Sequence, residues 1–568
     1  MPLSRRGAGV AALFALLAPL AVPFAAPGPA SALPASIAAD GAPLTVSVVV
    51  PITARMESSG LLDADALATA TSPAGVLTRE LDEALSTSAT IALDPMIAAS
   101  IRVLGTGAPE SAVEWLARLE RASNEVFLLA YSDADLSALA RAGALRLAAD
   151  VDLDFAIDPG AFGPAPTPTP TANPTPTPTS TQEPDGPPPL PTTDDLLAWP
   201  DAVGRIAWPA EGTAAASDLA EYSAAGYDAV LLSSANLAET ASARADIDGM
   251  RVLVGHSAAS ELFREASAAI DDTTRQSALD RLTTTLDGLA AARPGRSVVL
   301  TLDRAGAFGF YGLAETYAAL VARPGTSVAR LSALLESEGA GSSVVDGNVS
   351  PAIERTPALL AAFEEERAFA SILDDPALLL APRRLELLTT LSVAETALPA
   401  WSERADAFLA RSREILSSVS IVDTGDLLVA SNTPTVPIHV ANGLEFPVTV
   451  RIDVRPLRPR IRIETPVEVT IEPGSSKAVR LEAQAITNGD VVVVVRLSSP
   501  STGVAIGQPR SFNVDLQAQW ETVGIVIGAV VALVFAVGVA RNVIVRRRRA
   551  ASGRTDGDAG ERLEETAG

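Results

Sequence analysis

The sequence has 568 residues, a formal net charge of −25, no cysteine and only two histidines. Without cysteine, thiol catalysis, cysteine zinc sites and iron–sulfur clusters are excluded, and two histidines remove most histidine-based metal and triad chemistry. A chain this acidic repels nucleic acid and anionic lipid headgroups, so neither is an expected partner.

The first predicted element is an N-terminal leader. Arg5 and Arg6 precede an apolar stretch at residues 8–26, and the small residues Ala30-Ser31-Ala32 follow it. A basic, an apolar and a small-residue part in this order are typical of a secretory signal peptide. We therefore predict a cleaved signal peptide over residues 1–32.

Short apolar runs alternate with helical stretches over residues 40–350. The runs predicted as strands are 44–50, 89–94, 126–131, 154–158, 203–208, 229–233, 251–255, 297–303 and 327–331. Most are continuously apolar, as is typical of parallel strands covered on both faces. The pattern predicts an α/β region with the architecture of a β/α barrel-like domain.

Proline and threonine dominate residues 164–192, which lie inside this region. The stretch has few apolar side chains to bury, so we predict a disordered, polyproline-like insertion. It either interrupts one barrel or separates two α/β domains, and the number of strand–helix units favours one interrupted barrel.

The pattern changes twice after residue 350. Residues 351–420 carry apolar positions at helical spacing and predict a helical segment that packs on the barrel. Residues 425–517 contain short strands, of which 448–455 alternates apolar and polar side chains. Such alternation is typical of half-buried antiparallel strands, so this all-β part is predicted to be an immunoglobulin-like sandwich.

The last predicted element is a membrane-spanning helix over residues 523–545. Residues 523–540 carry no charge, and the basic cluster 546–549 follows. About 18–20 apolar residues cross a bilayer, and short basic flanks stay cytoplasmic. The prediction is a single-pass cell-membrane protein with its N-terminus outside and a cytoplasmic tail at 546–568. The outer part then holds 34 basic and 63 acidic residues, a charge of −29.

Three aspartates at predicted strand ends are the candidate catalytic residues: Asp94, Asp158 and Asp303. Asp133 follows another predicted strand. Barrel chemistry lies at the C-terminal strand ends, and two suitably separated carboxylates can hydrolyse a glycosidic bond. The alternative is that these aspartates end strands and cap helices.

Other chemistry-bearing residues are sparse. His256 follows a predicted strand and is a candidate for the barrel mouth, whereas His439 lies on a sandwich strand. Trp199 and Trp208 either stack on a sugar ring or pack in the barrel. No phosphate-binding glycine loop or metal-ligand pattern occurs in the sequence, so no cofactor or metal is predicted.

Several segments resemble an uncharacterised actinobacterial family of membrane-anchored ectodomains, domain of unknown function 6049. They are VSVVVP near residue 46, ATIALDP near 89, IAWPAEGTA near 206, AAGYDAVLLSS near 224 and VPIHVANGLEFPVTVRI near 436. The resemblance implies an exported, membrane-anchored protein with a cell-envelope role, and it supplies no catalytic residues. The barrel half also looks like polysaccharide deacetylase and related glycosidase barrels, but it lacks the His-x-x-x-His metal pair of the deacetylases.

The resulting functional hypothesis is an exported, membrane-anchored envelope protein. Its ectodomain is predicted to be a non-catalytic scaffold or a glycan- or protein-binding unit, because histidine, cysteine and metal chemistry are missing. The alternative is a glycoside hydrolase that acts on envelope polysaccharide with carboxylates alone.

Overall fold

The structure is a computed structural model that describes residues 42–54, 60–163, 189–238, 242–304, 311–423, 425, 427–429, 435–487, 489–516 and 520–552. The predicted signal peptide (1–32), nearly all of the Pro/Thr segment and the end of the predicted tail (553–568) lie outside these residues.

The N-terminal region alternates strands and helices. Its strands are β1 (Leu44–Ile52), β2 (Thr90–Leu93), β3 (Val126–Leu128), β4 (Ile206–Ala207), β5 (Ala229–Ser233), β6 (Arg244–Ile247), β7 (Met250–Gly255), β8 (Ser297–Thr301), β9 (Thr326–Val328) and β10 (Ala340–Gly341). Its helices are α1 (Ala64–Ala70), α2 (Val76–Leu85), α3 (Pro95–Val103), α4 (Glu110–Glu120), α5 (Leu136–Arg141), α6 (Arg146–Ala149), α7 (Thr193–Leu197), α8 (Ala216–Ala224), α9 (Ser257–Ala268), α10 (Asp272–Ala292), α11 (Leu313–Ala322) and α12 (Leu331–Glu336).

These strands form one curled, mainly parallel sheet, so the predicted barrel-like fold is confirmed. β1 pairs with β2 on one side and β8 on the other, β7 follows β8, and β4 and β5 continue from β7. A parallel bridge between Val126 and Ala202 links β3 to the segment before β4. Strands from both sides of the Pro/Thr segment therefore lie in the same sheet.

Two layers of apolar side chains cover the two faces of β1. Val49 packs inside the curl with Phe127 and Val299, whereas its neighbours Val48 and Val50 face the helices. All three side chains are buried. Burial of both faces explains why β1 is continuously apolar from Val48 to Ile52 instead of alternating.

One predicted strand is wrong. Residues Asp154–Ala156 form a 3-10 turn, and Pro159–Phe162 form a second one that begins after Asp158. The apolar residues of this segment pack on the outer core from the side. A strand and a buried turn can both consist of a short apolar run next to aspartate and proline. Composition therefore did not distinguish them, and the strand prediction failed.

Four helices connect the barrel-like region to the sandwich: α13 (Pro351–Phe369), α14 (Ala377–Thr390), α15 (Val393–Thr396) and α16 (Trp401–Ser417). They contribute to two cores. Leu359, Phe363 and Phe408 pack with the barrel helices, whereas Phe369, Leu379 and Ile415 pack with the sandwich. The four helices therefore pack against both regions and do not form a free linker.

The sandwich comprises β11 (Val419–Ile421), β12 (Leu427–Val429), β13 (Thr435–Asn442), β14 (Val448–Pro456), β15 (Ile461–Ile463), β16 (Val467–Ile471), β17 (Ser475–Ala485), β18 (Gly489–Ser498) and β19 (Ala505–Leu516). One sheet has the order β11-β13-β17-β15 and the other β12-β19-β18-β14-β16. Alternate residues of β14 are buried, as its sequence pattern predicted. The pairs are antiparallel except β12–β19, and the predicted sandwich is confirmed.

The final helix is α17 (Trp520–Ser552). The most apolar 18-residue window within its residues 524–549 has a mean hydropathy of 2.4, and none of this window is buried within the protein. Twenty-six helical residues span about 39 Å at 1.5 Å per residue, more than the ~30 Å hydrocarbon core of a bilayer. The helix is therefore long and apolar enough to cross a membrane.

Candidate functional site at the barrel mouth

The candidate site lies where parallel strands end. The segments that follow β2, β3, β4 and β8 carry Asp94, Asp133, Glu211 and Arg304. Because the C-terminal ends of parallel strands meet at one edge, these side chains converge on the mouth of the barrel-like sheet.

Asp94 is a buried structural cap. Its Oδ1 accepts hydrogen bonds from the N–H groups of Met96 at 3.0 Å and Ser132 at 2.9 Å. The first bond caps α3, with Pro95 at the first helical position, and the second holds the neighbouring loop. Burial raises the pKa of Asp94 well above its usual value, and the nearby Asp133 carboxylate adds to this. The side chain is 1 % exposed and does not line the cleft described below.

The loop after β3 holds a strained backbone. Ser132 and Asp133 adopt positive φ angles of 56° and 49°, a region that non-glycine residues rarely occupy. The loop is fixed by a bond from the Asp133 N–H to Ala130 O and by one from the Asp135 N–H to Leu391 O. Strain of this kind persists only where surrounding contacts enforce it. The resulting loop conformation directs the Asp133 carboxylate to Arg304.

Arg304 is the central cation of the mouth. Its Nη1 donates to Asp133 Oδ1 and to Trp208 O, both at 2.7 Å, and its Nη2 donates to Pro209 O at 2.5 Å. The guanidinium also lies 4.5 Å from the centroid of the Trp208 ring. Both partners of the ion pair are at least 96 % buried as side chains, because Arg304 is 4 % and Asp133 2 % exposed.

Burial dominates the protonation of the carboxylates here. It raises the pKa of Asp133 to about 6, although the Arg304 guanidinium opposes the shift. Burial also raises the pKa of Asp135, against the hydrogen bond from the Ala138 N–H and the charge of Arg304. Asp133 Oδ2 is buried and has no hydrogen-bond partner among the residues that the structure describes. A proton on this oxygen would relieve the cost of a buried anion, which is consistent with the raised pKa.

This geometry predicts a pH dependence of stability. The folded protein holds the Asp133 proton up to about pH 6, whereas the unfolded chain releases it near pH 3.9. Between these values the native state binds more protons, so the free energy of unfolding falls as pH rises, by on the order of 1.4 kcal/mol per unit. We expect urea unfolding at pH 4.5 and 6.5 to show a smaller fall in Asp133→Asn than in the wild type. The exposed-site variant Glu414→Gln is the control, and identical slopes in all three proteins would contradict the assignment.

A small cleft opens beside this cluster. It is lined by Trp208, Glu211, Ser233, Arg264, Asp303 and Arg304, among others, and has a volume of about 40 Å³. Glu211 pairs with Arg264 at 2.7 Å and accepts a hydrogen bond from Ser233 Oγ at 3.3 Å. A volume of this size holds a few water molecules, and it is too small for a sugar ring.

The structure separates the three predicted aspartates. Asp303 is exposed and lines the cleft, and Asp94 is buried behind it. Asp158 caps a 3-10 turn whose Ala161 O accepts a bond from Thr106, beyond the C-terminal end of α3. Asp94 caps the opposite end of this nine-residue helix, so about 13 Å of helix separates the two positions. Asp158 therefore does not reach the mouth.

The histidines and tryptophans also have defined positions. His256 caps α9, its Nδ1 accepts from the Ala259 N–H at 3.2 Å, and burial lowers its pKa. His439 lies on β13 opposite Ala478. Trp208 is buried at the mouth, with Phe127 and Arg304 as neighbours, whereas Trp199 lies before β4 and outside the cleft. Among the described residues, no group of three or more His, Asp or Glu side chains is placed to hold a metal ion.

Sequence reasoning missed Glu211, Arg304 and Asp135. Arg304 immediately follows Asp303 in the segment VLTLDR, and Glu211 lies four residues after β4 in WPAEG. A charged side chain directly after an apolar strand is the available signal for Arg304. For Glu211 the sequence signal is weaker, because its position at the mouth depends on the length of the loop after β4.

Three of the solved structures that resemble this chain share little sequence identity with it. The α-amylase AmyC from Thermotoga maritima is 9 % identical, with a TM-score of 0.41 over 66 % of this chain and 92 % of its own. WR4, an MSP family member from Caenorhabditis elegans, is 8 % identical, with a TM-score of 0.14 over 17 % and 97 %. A FixG-related protein from Vibrio parahaemolyticus is 16 % identical, with a TM-score of 0.13 over 17 % and 95 %.

Comparison with curated proteins finds no match. The sequence profile of a family of unknown function, DUF6049, matches residues 30–553. This match covers nearly the whole sequence and confirms the resemblance seen in the sequence segments. The chain belongs to the DUF6049 family.

Proposed function

We propose that this chain is an exported, membrane-anchored cell-envelope protein whose ectodomain acts as a non-catalytic scaffold or binding unit. The observation that supports this proposal is that four carboxylates of the mouth already bind other groups of the protein. Asp94 caps α3, Asp133 pairs with Arg304, Asp135 caps α5, and Glu211 pairs with Arg264. Asp94, Asp133 and Asp135 are buried, so these three carboxylates fix the loops of the mouth and are not presented to a substrate, whereas Glu211 is partly exposed and is held by Arg264.

The size of the cleft supports the same reading. A retaining glycosidase needs two carboxyl groups about 5–5.5 Å apart, and an inverting one needs about 6.5–9.5 Å, with a sugar between them. The cleft of about 40 Å³ has no room for that sugar. The sandwich and the apolar helix α17 suit a protein that is held at a membrane and recognises another envelope component.

A carboxylate-dependent glycoside hydrolase is the second candidate. Glu211 and Asp303 line one cleft at the C-terminal strand ends, which is the usual place for barrel chemistry. Asp303 is exposed, so water reaches it, and a sugar would have to contact it from outside the cleft.

Release of reducing ends from purified envelope polysaccharide by the full-length protein in detergent decides between the two. We expect no release above the background of a Glu211→Gln, Asp303→Asn double variant, together with measurable sedimentation of the protein with the polysaccharide or with envelope proteins. Turnover that Glu211→Gln or Asp303→Asn abolishes, while Asp158→Asn leaves it intact, would establish the hydrolase instead.

The proposed topology places the N-terminus outside and the C-terminus in the cytoplasm. It rests on the leader at 1–32, the span at 523–545 and the basic cluster at 546–549. We expect a reporter that is active only in the cytoplasm to work when fused after Gly568, and a reporter that is active only outside to fail there. Neutral substitutions at 546–549 are expected to produce a mixed orientation, and substitutions at Arg554 and Arg562 serve as the control. Activity of only the outside reporter in the unmodified fusion would contradict the topology.

A further inference from the structure

Two large cavities adjoin at the end of the barrel-like sheet opposite the mouth. Their volumes are about 430 and 410 Å³, against about 40 Å³ for the mouth cleft. Both are lined by Arg102, Glu120 and Asp195, so they form one elongated surface, here called the Trp199 groove. It runs beside the start of β3 and the residues that precede β4.

The first cavity of the groove is aromatic and acidic. Trp199 is half-buried in its wall, and Glu120, Asp195 and Asp201 also line it. Both hydrogen bonds from Thr192 to the Asp195 carboxylate go to Oδ2, and they lower the pKa of Asp195. Asp201 is exposed and makes no ion pair in the described part of the chain. This wall therefore presents negative charge beside an indole ring.

Among the described residues that line the groove, the one cation is Arg102, and other groups of the protein already bind it. Arg102 Nη1 donates to Leu196 O and Ala198 O, both at 2.8 Å, and Nη2 donates to Glu120 at 2.9 Å. The guanidinium lies 5.9 Å from the centroid of the Trp199 ring. Arg102 therefore holds the groove together instead of offering charge to an anion.

The second cavity of the groove is mostly apolar. Val113, Leu116, Phe162, Pro191 and Leu196 contribute to its walls. Val113 lies on α4 and is 49 % exposed, so part of its apolar surface is open to a partner.

We propose that the Trp199 groove binds an extended segment of a partner protein that places a lysine or arginine in the first cavity and an apolar side chain in the second. The cation would lie against the Trp199 ring and the carboxylates of Asp195 and Asp201, where cation–π and charge attraction act together. The outer part of the chain has a charge of −29 and attracts basic segments from a distance. The inference rests on the proposed binding role, and it uses a face of the protein distinct from the mouth.

The test measures fluorescence anisotropy of a labelled ten-residue peptide, two Ser-Lys-Leu-Ser-Gly repeats, with the full-length protein in detergent. We expect Trp199→Ala to weaken binding about tenfold or more, and Asp201→Asn about threefold, with a loss of affinity at high salt. Trp199→Phe keeps an aromatic ring and is expected to weaken binding less than Trp199→Ala. Peptides with glutamate for lysine, or serine for leucine, are expected to bind at least about tenfold less tightly.

Glu261→Gln is the matched control, because Glu261 is an exposed carboxylate on α9, away from the groove. Equal affinity of wild type, Trp199→Ala and Asp201→Asn would overturn the proposal, as would equal binding of the glutamate peptide. Binding of labelled chitotetraose that depends on Trp199, in place of peptide binding, would also overturn it and assign the groove to a glycan. If the protein hydrolysed polysaccharide and also bound the peptide through Trp199, the proposed non-catalytic function would be refuted, but the proposal for the Trp199 groove would stand.

Discussion

Replacing Arg383 by alanine is expected to destabilise the protein by about 3–5 kcal/mol, because the change leaves a buried carboxylate without its partner. Arg383 on α14 binds Glu366 on α13 with two parallel bonds, Nε to Oε2 at 2.9 Å and Nη2 to Oε1 at 2.8 Å. The Glu366 side chain is fully buried, and Ser412 on α16 also donates to it. The Phe408 ring lies 4.0 Å from the guanidinium carbon.

The matched control is Arg411→Ala. Arg411 also belongs to this helical segment and pairs with Glu414, but the two side chains are 61 % and 71 % exposed. An exposed pair contributes about 0–1 kcal/mol. Urea unfolding of full-length protein in detergent is expected to separate the two variants by several kcal/mol. A Glu366→Leu, Arg383→Met double variant is expected to recover much of the loss, because no buried charge remains. Similar effects of Arg383→Ala and Arg411→Ala would show that the network does not stabilise the fold.

Replacing Arg304 by methionine is expected to cost a similar amount, about 3–5 kcal/mol. The change removes the only ion pair of Asp133 found in the described residues and two hydrogen bonds to the carbonyls of Trp208 and Pro209. Buried groups left without partners account for most of the expected loss. Adding Asp133→Asn to Arg304→Met is expected to restore part of it, because the second change removes the unpaired carboxylate.

Arg264→Met is the control for Arg304→Met in the same cleft. Arg264 pairs with Glu211, whose side chain is 46 % exposed, so its loss is expected to cost less than about 1 kcal/mol. Thermal unfolding followed by circular dichroism measures the series. If Arg304→Met unfolds at the same temperature as Arg264→Met, the buried pair is not a stabilising element.

Apolar patterning was sufficient to predict the layers of this fold. The continuous run in β1 predicted a strand covered on both faces, and the alternation in β14 predicted a half-buried strand. Both predictions concern side-chain burial, and the spacing of apolar residues in the sequence follows burial directly. The segment 154–158 failed because five residues are too few to distinguish a strand from a buried turn.

The candidate site was harder to predict from the sequence, because the conformations of loops determine where its side chains lie. Asp94 and Asp303 both follow apolar strands, yet one is a buried cap and the other an exposed cleft residue. Sequence indicates that a carboxylate ends a strand, but only the packing of the next loop determines its exposure. The positive φ angles at Ser132 and Asp133 have little sequence signal, because neither residue is glycine and aspartate only modestly favours this region.

The helices α13–α16 contribute side chains to two cores, and only Ser418 separates α16 from the first sandwich strand. A recombination event that joined this barrel-like region to a foreign sandwich would need a crossover point within or beside these helices. A crossover before α13 would part Leu359, Phe363 and Phe408 from the barrel core, and one after α16 would part Phe369, Leu379 and Ile415 from the sandwich core. We therefore expect the two regions to be inherited as a pair, and a substitution in a helix that alters one core to constrain the substitutions that the other core tolerates.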